Sequence, residues 1–235
     1  MTFSVKRTLA IFQKDYKDIS KNMYVSFTAI IPLFMALLYG SQGEMTIDMQ
    51  YIVINMTLSL VAAFIQCSLI AEEKEKNTLR GLMLSPASTV EILAGKGLLT
   101  FITTIFIIAV SCLFIKYEPE NVMVIAIAIV LSTLFYIGLG TFLGLMTKSV
   151  MEASVVIMPF FFLFTFSSYA LLLAEKFPIL RAVEYMPNTQ LVELAREVQS
   201  GAGIVDVWTN LIVIMIWIIV IFALAYRIFK KRMMD

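Results

Sequence analysis

The residue types best suited to chemistry in this chain sit in one stretch, Ala71 to Gly97, AEEKEKNTLRGLMLSPASTVEILAGKG. Its Gly95-Lys96-Gly97 resembles the end of a phosphate-binding loop, in which glycines let backbone N–H groups cradle phosphate and a lysine neutralises it. That chemistry needs a Gly five residues ahead of the pair's own Gly and a Ser or Thr after the Lys; Val90 and Gly97 hold those places. Nucleotide binding by that device is excluded, so any ATP energy has to come from another chain. The absence of histidine removes His metal ligation, His general bases and His proton relays. Cys67 and Cys112 lie in apolar runs without the spacing of a metal site or a disulfide framework, and read as buried thiols. No Asp or Glu stands in the middle of an apolar run, where Asn55, Gln66, Ser132 and Thr133 are the polar residues. That counts against an ion-coupled transporter and, with no nucleophile–base pair, against an intramembrane enzyme.

What remains is recognition chemistry. Glu72, Glu73 and Glu75 fall in the first turn of a short helix and Arg80 near its end, the order that complements a helix dipole. Glu72 and Lys76 are spaced for an i,i+4 pair. Leu79, Leu82 and Met83 form an apolar patch at i, i+3 and i+4, and Ser85-Pro86 stops the helix. Ser88 and Glu91 then have the spacing of a capping box that opens the next helix. A small apolar patch ringed by charge suits a cytoplasmic docking element. A helix lying on the headgroups is the alternative.

The elements that position this stretch are membrane helices. Hydrophobic residues make up 60% of the chain and charged ones 15%, outside the soluble globular range. With about 20 apolar residues needed to cross a core of roughly 30 Å, six spans are expected: 23–40, 51–71, 98–115, 122–146, 155–174 and 211–229. Each must be helical, because lipid satisfies no open backbone group. With the N-terminus in the cytoplasm, all but four of the 18 basic residues (Lys116, Lys176, Arg181 and Arg196) lie on the inner side, which favours an N-in, C-in arrangement. The expectation is one all-α transmembrane domain over 1–235, with no cleaved signal peptide, since charge interrupts the first residues.

Ahead of the first span, Val5, Leu9, Phe12, Tyr16 and Ile19 follow one face of an amphipathic interfacial helix over 4–20, either a membrane anchor or a lever against a cytoplasmic partner. On the outer side, 177–200 reads as a pair of short helices split at Pro187, the second capped by Asn188, with Leu191, Leu194, Ala195 and Val198 on one side and Glu193 near Arg196 on the other. Gly140 and Gly144 make a GxxxG that suits close packing within the chain or between chains. Pro32 and Pro159 are expected to kink their spans, and the Phe160–Phe166 cluster to pack.

The charged EE/KE residues leaving the second span, NTLRGLMLSPAS, EILAGKGLL entering the third, and MPNTQLVELAREV before the last together resemble the ABC transporter type-2 permease family. The resemblance implies a membrane subunit of a bacterial exporter, multi-pass in the cytoplasmic membrane. It implies a second permease subunit, identical or related, and cytoplasmic ATP-binding subunits that hold ATP and Mg, with no cofactor in this chain and no nucleic-acid partner. It makes 72–84 the coupling helix (Glu72, Glu73, Glu75, Leu79, Arg80, Leu82, Met83), 4–20 the connecting helix (Val5, Leu9, Phe12, Tyr16), and Pro187, Thr189, Glu193 and Arg196 the outer motif. A largely uncharged interior points to a hydrophobic or amphipathic cargo such as an antimicrobial peptide, a drug or a lipid-like compound. A secondary transporter or channel working without an ATPase is the competing reading.

Overall fold

A computed structural model describes residues 3–43, 45–78, 81, 84–85, 87–171 and 176–232. Among these, all regular structure is helical. The helices are α1 (Val5–Lys21), α2 (Met23–Gly40), α3 (Ile47–Glu75), α4 (Thr89–Phe114), α5 (Val122–Met146), α6 (Val150–Leu171), α7 (Pro187–Gln199) and α8 (Trp208–Arg232), with a 3-10 turn at Pro178–Tyr185 before α7. Five of them, α3, α4, α5, α6 and α8, are long and apolar enough to cross a membrane. α2 covers the first of the six expected spans, and its described apolar stretch is Phe27–Gly40.

Local signals explain where the helices start. Thr46 caps α3 by accepting from the Met49 N–H at 3.4 Å, Asn121 caps α5 through Val124 at 3.2 Å, and Ser88 with Glu91 forms the full capping box of α4. Pro32 and Pro159 lie inside α2 and α6.

The centre of the bundle is α3, which is buried throughout its apolar length and packs against α2, α4, α5, α6 and α7. Its middle, Leu58–Phe64, is a π-helix, a widened turn that shifts the register of the side chains on either side. The GxxxG of α5 faces this helix within the same chain. A Cβ on Gly140 would run into the Ala63 carbonyl oxygen, and one on Gly144 would lie 2.7 Å from that of Cys67. Gln66 of α3 ties three helices together by donating to Thr141 of α5 at 3.0 Å and accepting from Thr100 of α4 at 2.7 Å.

At the end of the bundle remote from α1, α7 packs one face into the bundle. Leu191, Leu194, Ala195 and Val198 are fully buried, on the side the spacing indicates. Asn188, expected as its cap, has a different role: Met186 occupies the cap position, Pro187 the first turn, and the buried Asn188 amide donates to the Phe164 carbonyl of α6 at 2.8 Å. Proline is favoured at the first helical position because it has no N–H to leave unpaired, and this moves the cap one residue back from Pro187.

Candidate functional site

At the opposite end, the charge run leaving α3 sends Glu73, Lys74 and Glu75 to different neighbours. Glu73 turns inward and is 3% exposed. It receives the Lys96 ammonium of α4 at 3.0 Å, together with Lys14 of α1 and the Thr78 hydroxyl. Lys96, 1% exposed, also donates to both carboxylate oxygens of Asp15 on α1, at 3.1 and 3.0 Å. Lys74 caps the C-terminus of α5, donating to the Leu145 carbonyl at 2.9 Å and to that of Thr147, where carbonyls have no helical partner. Glu75 accepts from the Val150 N–H at 2.9 Å, at the start of α6. Glu72 pairs with Lys76 at 2.5 Å. Asn77, at φ 56°, ends the helix in the left-handed conformation that asparagine tolerates and brings Thr78 back onto Glu73.

The N-terminal helix is fastened to the same junction. Arg7 reaches Glu91 through Nε at 3.1 Å and through its terminal nitrogen at 2.7 Å, and Glu91 serves at once as salt-bridge partner and capping residue. From Ser4 to Asp15 the contacts of α1 on α4 advance only from Glu91 to Lys96, so α1 crosses that helix obliquely. Gly95 lies at the crossing. A Cβ there would come within 2.9 Å of Ile11 and of the Thr8 carbonyl oxygen. The Gly-Lys pair in GKG therefore has a structural reason: the glycine admits α1 and the lysine holds it.

The electrostatics follow from burial. The Asp15 carboxyl is raised above the ordinary aspartate range by burial, with Lys96 and Lys14 pulling the other way. Burial pulls Lys14 down, but its pairs with Glu73, Asp15 and Asp18 outweigh that and hold it above the ordinary lysine value. A cavity of about 190 Å³ opens between α1 and α3, lined by Lys14, Asp15, Asp18, Leu69, Glu72, Glu73, Lys76 and Thr78. The described side chains here make ion pairs and helix caps that join the end of α3 to α1, α4, α5 and α6.

The expected coupling residues divide. Leu79, Arg80, Leu82 and Met83 lie outside the described residues. Glu75 is exposed and Glu72 half-buried, whereas Glu73 is buried between α1 and α4. The expected apolar face of α1 also divides: Phe12 and Ile19 pack on a cluster of Val61, Ile65, Leu69, Leu99 and Ile107, while Val5, Leu9 and Tyr16 point away from the bundle. At the far end Glu193 pairs with Arg196 at 2.8 Å, Arg196 also reaches Asp48 at the start of α3, and Thr189 bonds Ser167 of α6 at 3.2 Å. Thr189 and Arg196 thus tie α7 to its neighbours, while Pro187 starts the helix.

Sequence reasoning passed over Asp15, Lys96, Arg7 and Glu91 as a set. The signal available was Ile11, Asp15 and Ile19 on one helical line, and Lys96 between Ile92 and Leu99 near the start of a span. A buried acid in one helix requires a buried cation in another.

Compared with known families, residues 5–227 match a family model described as ABC-2 family transporter protein. None of the curated proteins compared with the chain matches it.

Proposed function

We propose a function that proceeds from one established premise: the chain belongs to the ABC-2 transporter family, and it is a multi-pass membrane protein. On this reading it is the permease subunit of an ATP-driven exporter in a bacterial cytoplasmic membrane, with six spans and both termini inside. A separate cytoplasmic ATP-binding subunit, which holds ATP and Mg, supplies the energy, and a second permease subunit, identical or related, completes the pathway. The cargo is hydrophobic or amphipathic, in keeping with spans free of mid-membrane carboxylates.

The observation that carries this reading beyond family membership is the junction at the end of α3. Glu73, Lys74 and Glu75 are bonded directly to α1, α4, α5 and α6, so a push on 72–84 that displaced them would reach four helices at once. The basic residues Lys6, Lys14, Lys17, Lys74, Lys76, Lys148 and Arg227 gather at the same end, which supports its being the cytoplasmic one.

The test is co-purification and transport. A soluble ATP-binding subunit encoded beside the chain should co-purify with it, and cargo efflux in proteoliposomes should require ATP. Leu79→Asp or Leu82→Asp should leave membrane insertion intact and separate ATP hydrolysis from efflux. Efflux without any ATP-binding subunit would replace this reading with a secondary transporter or channel.

A further inference from the structure

The helix α1 has three longitudinal strips with different surroundings. Thr8, Ile11 and Asp15 are buried against α4 and α3, and Phe12 and Ile19 rest on the cluster beneath them. The third strip is open: Val5, Leu9 and Tyr16 are 63%, 45% and 59% exposed, and Phe3 just ahead is 56% exposed. Beside it lie Lys6, Lys17 and Lys21, whose spacings of eleven and four residues put them on one line of a helix. All three are exposed and form no ion pair among the described residues. Among the described residues, the two carboxylates of α1 are paired elsewhere, Asp15 with Lys96 and Asp18 with Lys14 at 3.5 Å.

We propose that this open strip of α1 is a binding surface for the anionic phospholipids of the membrane, with Val5, Leu9 and Tyr16 entering the acyl boundary and Lys6, Lys17 and Lys21 on the headgroup phosphates. Charge complementarity is one argument: an apolar edge flanked by unpaired lysines is the amphipathic pattern that lies in an interface. Position is the other. The crossing with α4 lies where Leu69 and Leu99 give way to Glu73 and Lys96, the level at which apolar spans end. Phe27 and Ile30 of α2 and Ile102 and Phe106 of α4, the helices packed against α1, are exposed as well. The proposal rests on the chain's being a membrane protein and stands apart from the exporter reading. Its consequence is regulatory: α1 is bonded through Asp15, Lys96 and Lys14 to the end of α3, so the charge of the lipid surface bears on the junction.

The test uses the full-length chain in phosphatidylcholine nanodiscs with and without phosphatidylglycerol. Cys67 and Cys112 are replaced by alanine, and a fluorophore is attached at Leu9→Cys or Tyr16→Cys, with Lys148→Cys as the aqueous control. Quenching is read with doxyl-labelled phospholipid and with iodide. The labels on α1 should be quenched by the lipid probe and shielded from iodide when phosphatidylglycerol is present. Each lysine near an anionic surface is worth about fivefold in binding, so Lys6→Gln/Lys17→Gln/Lys21→Gln should lose the phosphatidylglycerol dependence, as should 1 M salt. Inorganic phosphate should not substitute for the lipid. Quenching that ignores phosphatidylglycerol would overturn the proposal, as would full replacement of the lipid by phosphate. Iodide access in every disc that disappears only when the ATP-binding subunit is added would assign the strip to a protein instead.

Discussion

Replacing Lys96 by methionine keeps most of the side-chain volume and removes the charge from the most enclosed part of the junction. The ammonium donates to Asp15 at 3.1 and 3.0 Å and to Glu73 at 3.0 Å, and its loss leaves two carboxylates side by side with Lys14 as their one remaining described cation. Breaking a buried ion pair costs about 3–5 kcal/mol. The cavity beside Asp15 and Glu73 admits water, and Asp15 already holds its proton more tightly than usual, so the low end of that range applies. At about 1.4 kcal/mol per tenfold, 3 kcal/mol weakens the docking of α1 by on the order of a hundredfold. The reporter is Thr8→Cys, at a position 7% exposed beneath α1, in a background with Cys67 and Cys112 replaced by alanine. Its maleimide modification rate in detergent should rise by that factor in Lys96→Met. It should fall back most of the way when Asp15→Asn and Glu73→Gln are added, because an uncharged, well-packed junction costs little. A rate for Lys96→Met within about threefold of the parent would refute the assignment of this network as what holds α1 down.

Other outcomes follow from the same geometry. Gly95→Ala places a methyl 2.9 Å from Ile11 and the Thr8 carbonyl oxygen, so it should cost about 1–3 kcal/mol and raise the same modification rate, whereas Gly97→Ala, 3.5 Å from Ile137, should not. Because burial raises the Asp15 carboxyl, its protonation favours the folded state. That contribution is complete below the ordinary aspartate value of about 3.9 and fades as pH climbs through the raised one. Thermal unfolding of the parent relative to Asp15→Asn should therefore show the parent gaining on the variant as pH falls towards about 4, and a loss over that window would contradict the burial argument. At the far end, Asp48 and Arg196 are 44% and 43% exposed, so a double-mutant cycle on Asp48→Asn and Arg196→Gln should return a coupling of about 0.2–1 kcal/mol in melting experiments.

What the sequence revealed was local. The capping box at Ser88 and Glu91, the buried line Leu191, Leu194, Ala195 and Val198, and the Glu72–Lys76 pair each depend on residues within two turns of one helix, where spacing alone determines the contact. The junction escaped because its partners are remote: Asp15 and Lys96 are 81 residues apart, and Lys14 and Glu73 59. The direction of the α1 face escaped for a related reason. Hydrophobic periodicity reports which side of a helix avoids water, and here protein and open surface share that side. The GxxxG on α5 announced a close approach without naming its partner, which turned out to be the carbonyls of α3.

The charge run at the end of α3 also carries an order of assembly. The acceptors of Lys74 and the donor to Glu75 are synthesised 71 to 75 residues later, at the turn between α5 and α6. During synthesis, therefore, α3 must wait at the membrane with these two charges facing water, while Asp15 waits for Lys96. The buried helix at the centre of the bundle cannot be sealed at this end until a helix pair that follows it in the chain has arrived. A one-residue insertion just ahead of Glu72 would rotate every one of these side chains by about 100° and hand each late-arriving helix the wrong partner. The length of this segment is thus a timing constraint on the birth of the protein, as strict as the identity of its charges.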